Sequence, residues 1–559
     1  MSLRPSAAVT RDWVRAMSTI QQLLERPEPT LAAVVHEHAT TRGDAPALIG
    51  PDETLSYGEL SARANRYARW ALSERLAAGD VVALLMSNRP DYVAIWLGLS
   101  QIGCTVALLN TNLATDALAH SIKSAGARHV IVDNALAVRL PPDVRAWQDL
   151  VQTIRGLSGA PLAAHQHRSP KPTDRALYIY TSGTTGWPKA AAVTHARVLE
   201  WSGWFAGMME AVPEDRLFDC LPMYHSVGGV VAVGSMLVAG GAVVIRERFS
   251  ASRFWGDVAA SGATIIQYIG ELCRYLAQSP DADDKIEHRV RLACGNGLAA
   301  DVWERFQQRF RIPRILEFYA ATEAGVSLTN CEGMPGAIGR VPKFLAHRSP
   351  VALIRCEAGA PVRDAAGRCQ RVAIDEPGEA IGKLAPAAAR FDGYTDPAAT
   401  EDKILHDVFE PGDRWFRSGD LMRQDVAGYY YFVDRLGDTF RWKGENVATT
   451  EVAAVLRACP GVIDAAVYGV AVPGHDGKAG MAALVTDASF DLAHLHAHLV
   501  EKLPSYARPM FVRLSPALDT TGTFRLQKTE LVGEGYTDSR DPVWVDDAKA
   551  GGYVPLKRT

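Results

Sequence analysis

The sequence lacks any long run of one charge sign, any closely paired cysteines and any internal repeat. With 59 basic against 63 acidic residues and a net charge of -4, it has no cationic stretch of the kind that draws a chain onto nucleic acid, and no nucleic-acid partner is expected. The eight cysteines (Cys104, Cys220, Cys273, Cys294, Cys331, Cys356, Cys369 and Cys459) form no CxxC pair and keep no metal-like spacing to histidine. They read as reduced packing residues, which points to the cytoplasm. Arg4, Arg11, Asp12 and Arg15 precede any apolar run, so the apolar core and cleavage site of a secretory signal are missing. The one stretch apolar enough to suggest a membrane span, 227–245, contains five glycines including Gly240-Gly241. It reads instead as a buried helix followed by a strand.

What is present is an ordinary globular composition, 48% hydrophobic and 22% charged, over 559 residues. Single cores stop growing at about 250 to 300 residues, so two or more domains are expected. Short β-rich apolar runs (81–86, 130–132, 177–180 and 264–269) alternate with amphipathic stretches such as 92–102. That alternation predicts an α/β fold with partly parallel sheets. Residues 382–417 are rich in Pro, Gly, Asp and Ala, 428–434 read as a strand, and a domain boundary is placed near Arg435. Beyond it, helices at 451–458 and 492–503 and strands at 462–470, 481–485 and 510–514 make a compact α+β unit. The expected architecture is a large N-terminal domain of layered α/β sheets, 1–435, and a small mobile α+β C-terminal domain, 436–559.

The strongest motif follows the strand at 177–180. Thr181, Ser182, Gly183, Thr184, Thr185 and Gly186 lead through Trp187 and Pro188 to Lys189. Glycines let backbone N–H groups close on an anion, hydroxyls add donors and lysine adds a point charge, which together suit a triphosphate. The spacing is not GxxxxGK[ST], so a P-loop kinase or GTPase is disfavoured. This segment resembles the phosphate loop of the adenylate-forming (AMP-binding) superfamily, which includes acyl-CoA synthetases, luciferases and peptide-synthetase adenylation domains.

Other segments carry chemistry of their own. His225 stands beside Tyr224 at the start of the apolar run; Gly295 and Gly297 flank Asn296 and permit close approach to a flat ligand. Tyr319 can stack on a base, Thr322 can donate to phosphate, and Glu323 offers oxygen to a hard cation. The resemblance implies more. It places His225 where substrate carboxylate and α-phosphate meet, lets the apolar run wall an acyl pocket, and puts 293–298 against adenine. It assigns Mg²⁺ to Glu323 with Thr184, ribose contacts to Asp420 and Arg435, a hinge to Gly437, the passage of the pantetheine of coenzyme A to Gly444, and a further cofactor contact to Lys443. The string Phe440-Arg-Trp-Lys-Gly-Glu-Asn446, with Ser418-Gly-Asp420, looks most like the branch of fatty acid transport proteins and very-long-chain acyl-CoA synthetases.

One position departs from the pattern. Where the superfamily usually presents a lysine four residues after a threonine, Thr521 is followed by Arg525, with Lys528 further on. Either could be the adenylation cation, and a planar guanidinium differs from a point ammonium. The implied activity is ATP- and Mg²⁺-dependent formation of a fatty acyl-adenylate, then transfer to CoA. The alternatives are a fatty-acid uptake or binding protein with weak synthetase activity, or a ligase for another carboxylic acid. Trp13 and Val14 could lie on an amphipathic helix touching a membrane periphery, or pack in the core. Chain length of the acid and oligomeric state have no sequence signal.

Overall fold

Strands built from β-branched and aliphatic residues lay down two sheets in the first part of the molecule. In a six-stranded sheet, Val81–Leu85 is flanked by Thr105–Leu108 and His129–Val132, all parallel. Arg175–Thr181 lies beyond Thr105–Leu108, and Lys189–Thr194 turns back antiparallel at the edge. In an eight-stranded sheet, Ile265–Ile269, Leu292–Asn296 and Ile315–Ala320 run side by side and parallel. Arg216–Asp219, Ala242–Ile245 and Pro46–Ile49 continue the parallel order on the other side of Ile265–Ile269. A run such as Val-Val-Ala-Leu-Leu is continuous because parallel sheets are covered on both faces, so no position needs to be polar.

These strands belong to a unit made of Met1–Ser349 and Leu384–Leu405; the second unit is Pro350–Lys383 and His406–Thr559. The computed structural model describes all residues except 1–2, 164–165, 167–169, 182–186, 280–284, 322–324, 348–349, 358, 385–392, 444, 474, 476, 522–525, 548 and 557–559.

Helices of the first unit start where side chains can satisfy their free N–H groups. Thr30 accepts from Ala33 N–H at 3.1 Å, and Ser56 and Glu59 form a reciprocal capping box ahead of Tyr57–Ser73. Trp13, on helix Ser6–Leu24, packs in the core. The indole is buried edge-on to Trp204 at 5.0 Å, while Val14 is exposed. Buried Asp12 on the same helix accepts hydrogen bonds from Arg4, Arg15 and Arg314, tying the helix to the body of the unit. The apolar stretch at 227–245 is a buried π-helical segment, Val227–Gly234, a turn of α-helix, Ser235–Ala239, and the strand Ala242–Ile245. Among the described residues no helix is long and apolar enough to cross a membrane. All eight cysteines are free, and burial pushes the Cys104 thiol up to about 12.

In the second unit Val351–Ile354, Gly378–Lys383, Arg414–Gln424 and Tyr430–Arg435 pair antiparallel in that order. A five-stranded sheet follows, with Val462–Ala471 and Lys478–Thr486 as a hairpin and Phe511–Leu514 parallel to the latter. Helices Thr449–Arg457 and Leu492–Lys502 bury Leu456, Leu495 and Leu499 in a core with Val467 and Met481. The boundary expected near Arg435 falls inside this unit, between Tyr430–Arg435 and the short strand Phe440–Trp442.

Candidate functional site

The loop that suggested a triphosphate joins two antiparallel strands, and its ends, Thr181 and Lys189, are cross-strand partners. The Lys189 ammonium lies 5.8 Å from the centre of the Tyr394 ring, and Trp187, exposed, stacks on His120 at 5.4 Å. Ser182, Gly183, Thr184, Thr185 and Gly186 lie outside the described residues.

The segment around Asn296 closes the carboxyl end of the strand Leu292–Asn296, beside the carboxyl ends of its parallel neighbours. That is where open α/β sheets bind ligands. Gly297 has φ +80°, where a side chain would be strained, and a Cβ at Gly270 would stand 1.7 Å from the Gly297 carbonyl oxygen, a clash. The loop is held from within by Glu317, whose one oxygen accepts the N–H groups of Gly297 and Leu298 while the other accepts the Tyr268 hydroxyl. Glu317 is buried, and desolvation pushes its carboxyl up to about 8 in spite of those three donors. Asn296 Oδ1 is buried and finds no partner among the described residues, leaving an acceptor for a bound molecule. Tyr319 stands half-buried on the adjacent strand, and Phe318 packs against Phe205 at 4.5 Å. Thr322 and Glu323, the expected phosphate donor and metal ligand, lie outside the described residues.

Glu317 was not singled out from sequence. Its signal is a lone acid inside the apolar strand Ile-Leu-Glu-Phe-Tyr-Ala, which must either be paired or stay protonated. Asp219, at the end of Arg216–Asp219, was missed for the same reason: one oxygen accepts Leu221 N–H at 3.0 Å, the other is buried without a partner among the described residues, and desolvation raises the carboxyl far above its usual range.

His225 sits in the turn before the segment Val227–Gly234, with the Tyr224 ring 4.7 Å away. Its Nε2 is enclosed and unpartnered among the described residues, and desolvation lowers the imidazole to about 4. The ring is therefore neutral near pH 7. The segment that follows it, Val-Gly-Gly-Val-Val-Ala-Val-Gly, offers no charged side chain.

In the second unit the two expected ribose contacts meet. Asp420 and Arg435 are cross-strand partners, Nε to Oδ1 3.5 Å. Gly437 lies in a turn closed by the Asp438 N–H donating to the Arg435 carbonyl, and Leu436 N–H donates to Gly419. Lys443 is exposed and left-handed at φ +53°. Of the two candidate cations, Arg525 lies outside the described residues, as does Gly444. Lys528 is described: its Nζ donates to Thr449 Oγ1 at 2.7 Å and stands 3.5 Å from Asp438 Oδ2. No group of three or more metal-ligating side chains occurs among the described residues.

Known proteins match most of the chain. Residues 35–379 fit the AMP-binding enzyme family and 451–525 its C-terminal domain. The mouse long-chain fatty acid transport protein 1 is 42% identical over 559 aligned residues, covering 95% of this chain and 86% of its own length. The rat long-chain fatty acid transport protein 2 is 38% identical, covering 95% and 90%. Among solved structures, ATP-bound MatB from Rhodopseudomonas palustris superposes with a TM-score of 0.75 at 23% identity, covering 92% of this chain and 98% of that one. A Mycobacterium tuberculosis fatty acyl CoA synthetase does so at 0.65 and 23%, covering 90% and 98%; both show the shared fold. The expected α/β architecture and the resemblance read from the phosphate loop hold, and the chain belongs to the AMP-binding, adenylate-forming enzymes, in the acyl-CoA synthetase branch that includes the long-chain fatty acid transport proteins.

Proposed function

We propose that this protein activates a long-chain or very-long-chain fatty acid with ATP and passes the acyl group to coenzyme A. The observation that carries the reading is the pairing of a neutral His225, its Nε2 enclosed, with an apolar segment free of charge. An amino-acid-activating site needs a buried acid for the substrate ammonium, and the Val227–Gly234 segment supplies none. The names of the relatives point the same way.

A fatty carboxylate is ionised at neutral pH and needs no general base. Its oxygen attacks the α-phosphorus of ATP, the bond to the bridging oxygen breaks, and pyrophosphate leaves with that electron pair. A neutral imidazole at 225 orients the carboxylate by hydrogen bonding and adds no charge. The loop 181–189 supplies donors and the Lys189 charge to the phosphates, while Gly295, Asn296, Gly297 and Tyr319 border adenine and Asp420 and Arg435 hold the ribose. Mg²⁺, assigned to Thr184 and Glu323, would neutralise phosphate charge when bound. A swing at Gly437 then admits CoA past Lys443 and Gly444. The thiol gives up its proton to solvent, its sulfur attacks the acyl carbonyl, and AMP leaves.

Acid-dependent exchange of pyrophosphate into ATP, followed by CoA-dependent AMP release across acids of graded length, tests the reading. Exchange that rises with chain length supports it. Tight fatty-acid binding with no exchange would replace it with an uptake protein, a role the relatives' names also suggest.

A further inference from the structure

Lys528 was a candidate for the adenylation cation, yet its ammonium is already engaged. It donates to Thr449 Oγ1 at 2.7 Å and faces Asp438 at 3.5 Å, with its side chain only 18% exposed. Thr449 is fully buried at the first turn of Thr449–Arg457, and its N–H donates to Asp434 Oδ2. The other Asp434 oxygen takes Arg435 N–H at 2.8 Å, and the Thr450 hydroxyl donates to the Val433 carbonyl. Lys528 is close enough to Asp434 to offset part of the cost of burying that carboxyl.

These partners divide at Gly437. Val433 and Asp434 precede it, whereas Asp438, Thr449, Thr450 and Lys528 follow it. A rotation at Gly437 would carry the second set away from the first, breaking the Asp434–Thr449 and Val433–Thr450 hydrogen bonds and separating the ammonium from Asp434. Interactions present in only one of two positions bias the equilibrium between them. We propose that Asp434, Thr449 and Lys528 form a latch that holds one position of the hinge, making Lys528 a positioning residue. The proposal rests on the reading of Gly437 as the hinge of a two-step ligase.

The full chain carrying Lys528→Met, Thr449→Val or Thr449→Ser is assayed for pyrophosphate exchange with hexadecanoate, and for transfer from preformed hexadecanoyl-AMP to CoA. Loss of the latch moves the ratio of the two rates by about tenfold, in the same direction for Lys528→Met and Thr449→Val, while Thr449→Ser keeps it near wild type. Exchange lost with transfer intact in Lys528→Met, while Thr449→Val keeps both rates near wild type, would make Lys528 the adenylation cation. An equal fall in both rates would reduce it to a structural role, and an unchanged ratio would also overturn the latch. Where wild type shows no acid-dependent exchange, the proposed activity fails, and tryptic cleavage after Arg435 and Arg441 decides the latch alone. Several-fold faster cleavage in Lys528→Met supports it, and an unchanged rate overturns it.

Discussion

Glu317 and Asp434 are both carboxyls buried beside a proposed ligand or hinge element, and burial raises both above their usual range, yet their surroundings differ in kind. Glu317 is held by three neutral donors that all belong to the first unit. Asp434 is held by two backbone N–H groups, one on each side of Gly437, and lies near a lysine. A neutral brace can stay shut permanently, because opening it would strand buried donors. A junction with a long, hydratable ammonium can open, since Lys528 can exchange its partners for water at moderate cost. The first arrangement suits the fixed adenine platform proposed above and the second the proposed moving part.

The largest effect expected from breaking this contrast is at Glu317→Ala. Three buried donors would lose their acceptor at roughly 1 to 3 kcal/mol each, so the first unit should lose about 3 kcal/mol or more. The Michaelis constant for ATP should rise as the 295–298 loop relaxes. Glu317→Gln keeps one carbonyl oxygen for the two N–H groups and should cost about 1 kcal/mol. Urea unfolding followed by tryptophan fluorescence, with ATP titration, measures both. A Glu317→Ala protein as stable as Glu317→Gln would mean that the brace holds nothing.

A smaller effect is the dependence of stability on pH. The Glu317 carboxyl is raised from 4.5 to about 8 on folding. Between those values the unfolded chain has lost this proton and the folded chain keeps it, so stability from this group falls as pH rises toward 8. The slope is at most about 1.4 kcal/mol per pH unit. Unfolding free energies at pH 6, 7 and 8 should fall more steeply for wild type than for Glu317→Gln; parallel lines would show that the carboxyl titrates elsewhere. His225 runs the other way. Lowered from 6.5 to about 4, it contributes stability that is full above 6.5 and lost as pH drops toward 4.

The two carboxyls also mark how far the sequence could be read. The family resemblance was legible because a strand, glycines, hydroxyls and a lysine lie within the thirteen consecutive residues 177–189. The parallel strands were legible from their unbroken apolar runs. Glu317 was not, since its donors come from Tyr268 and from the turn at 297–298, brought alongside only by the register that sets Gly295 opposite Glu317. Lys528 meets Thr449 across 79 residues of chain, a pairing that no local pattern announces. Asp420 and Arg435 fall between: the motif marked each, but their pairing depends on a register shift between Leu421 and Met422.

A small stability change and the sharpest functional one are expected at Asp434→Asn. The amide keeps one acceptor for the two N–H groups and loses the other, costing about 1 kcal/mol, close to the cost of Glu317→Gln. Removing the charge also leaves Lys528 without its attraction to position 434, which has no counterpart at Glu317. The two isosteric substitutions should therefore be alike in urea and unlike in the assay of half-reactions. Asp434→Asn should move the ratio of exchange to transfer in the direction seen for Lys528→Met, and Glu317→Gln should leave it unchanged. If Glu317→Gln moved the ratio as far, the platform would be as mobile as the hinge, and the distinction between a fixed brace and an exchangeable one would be lost.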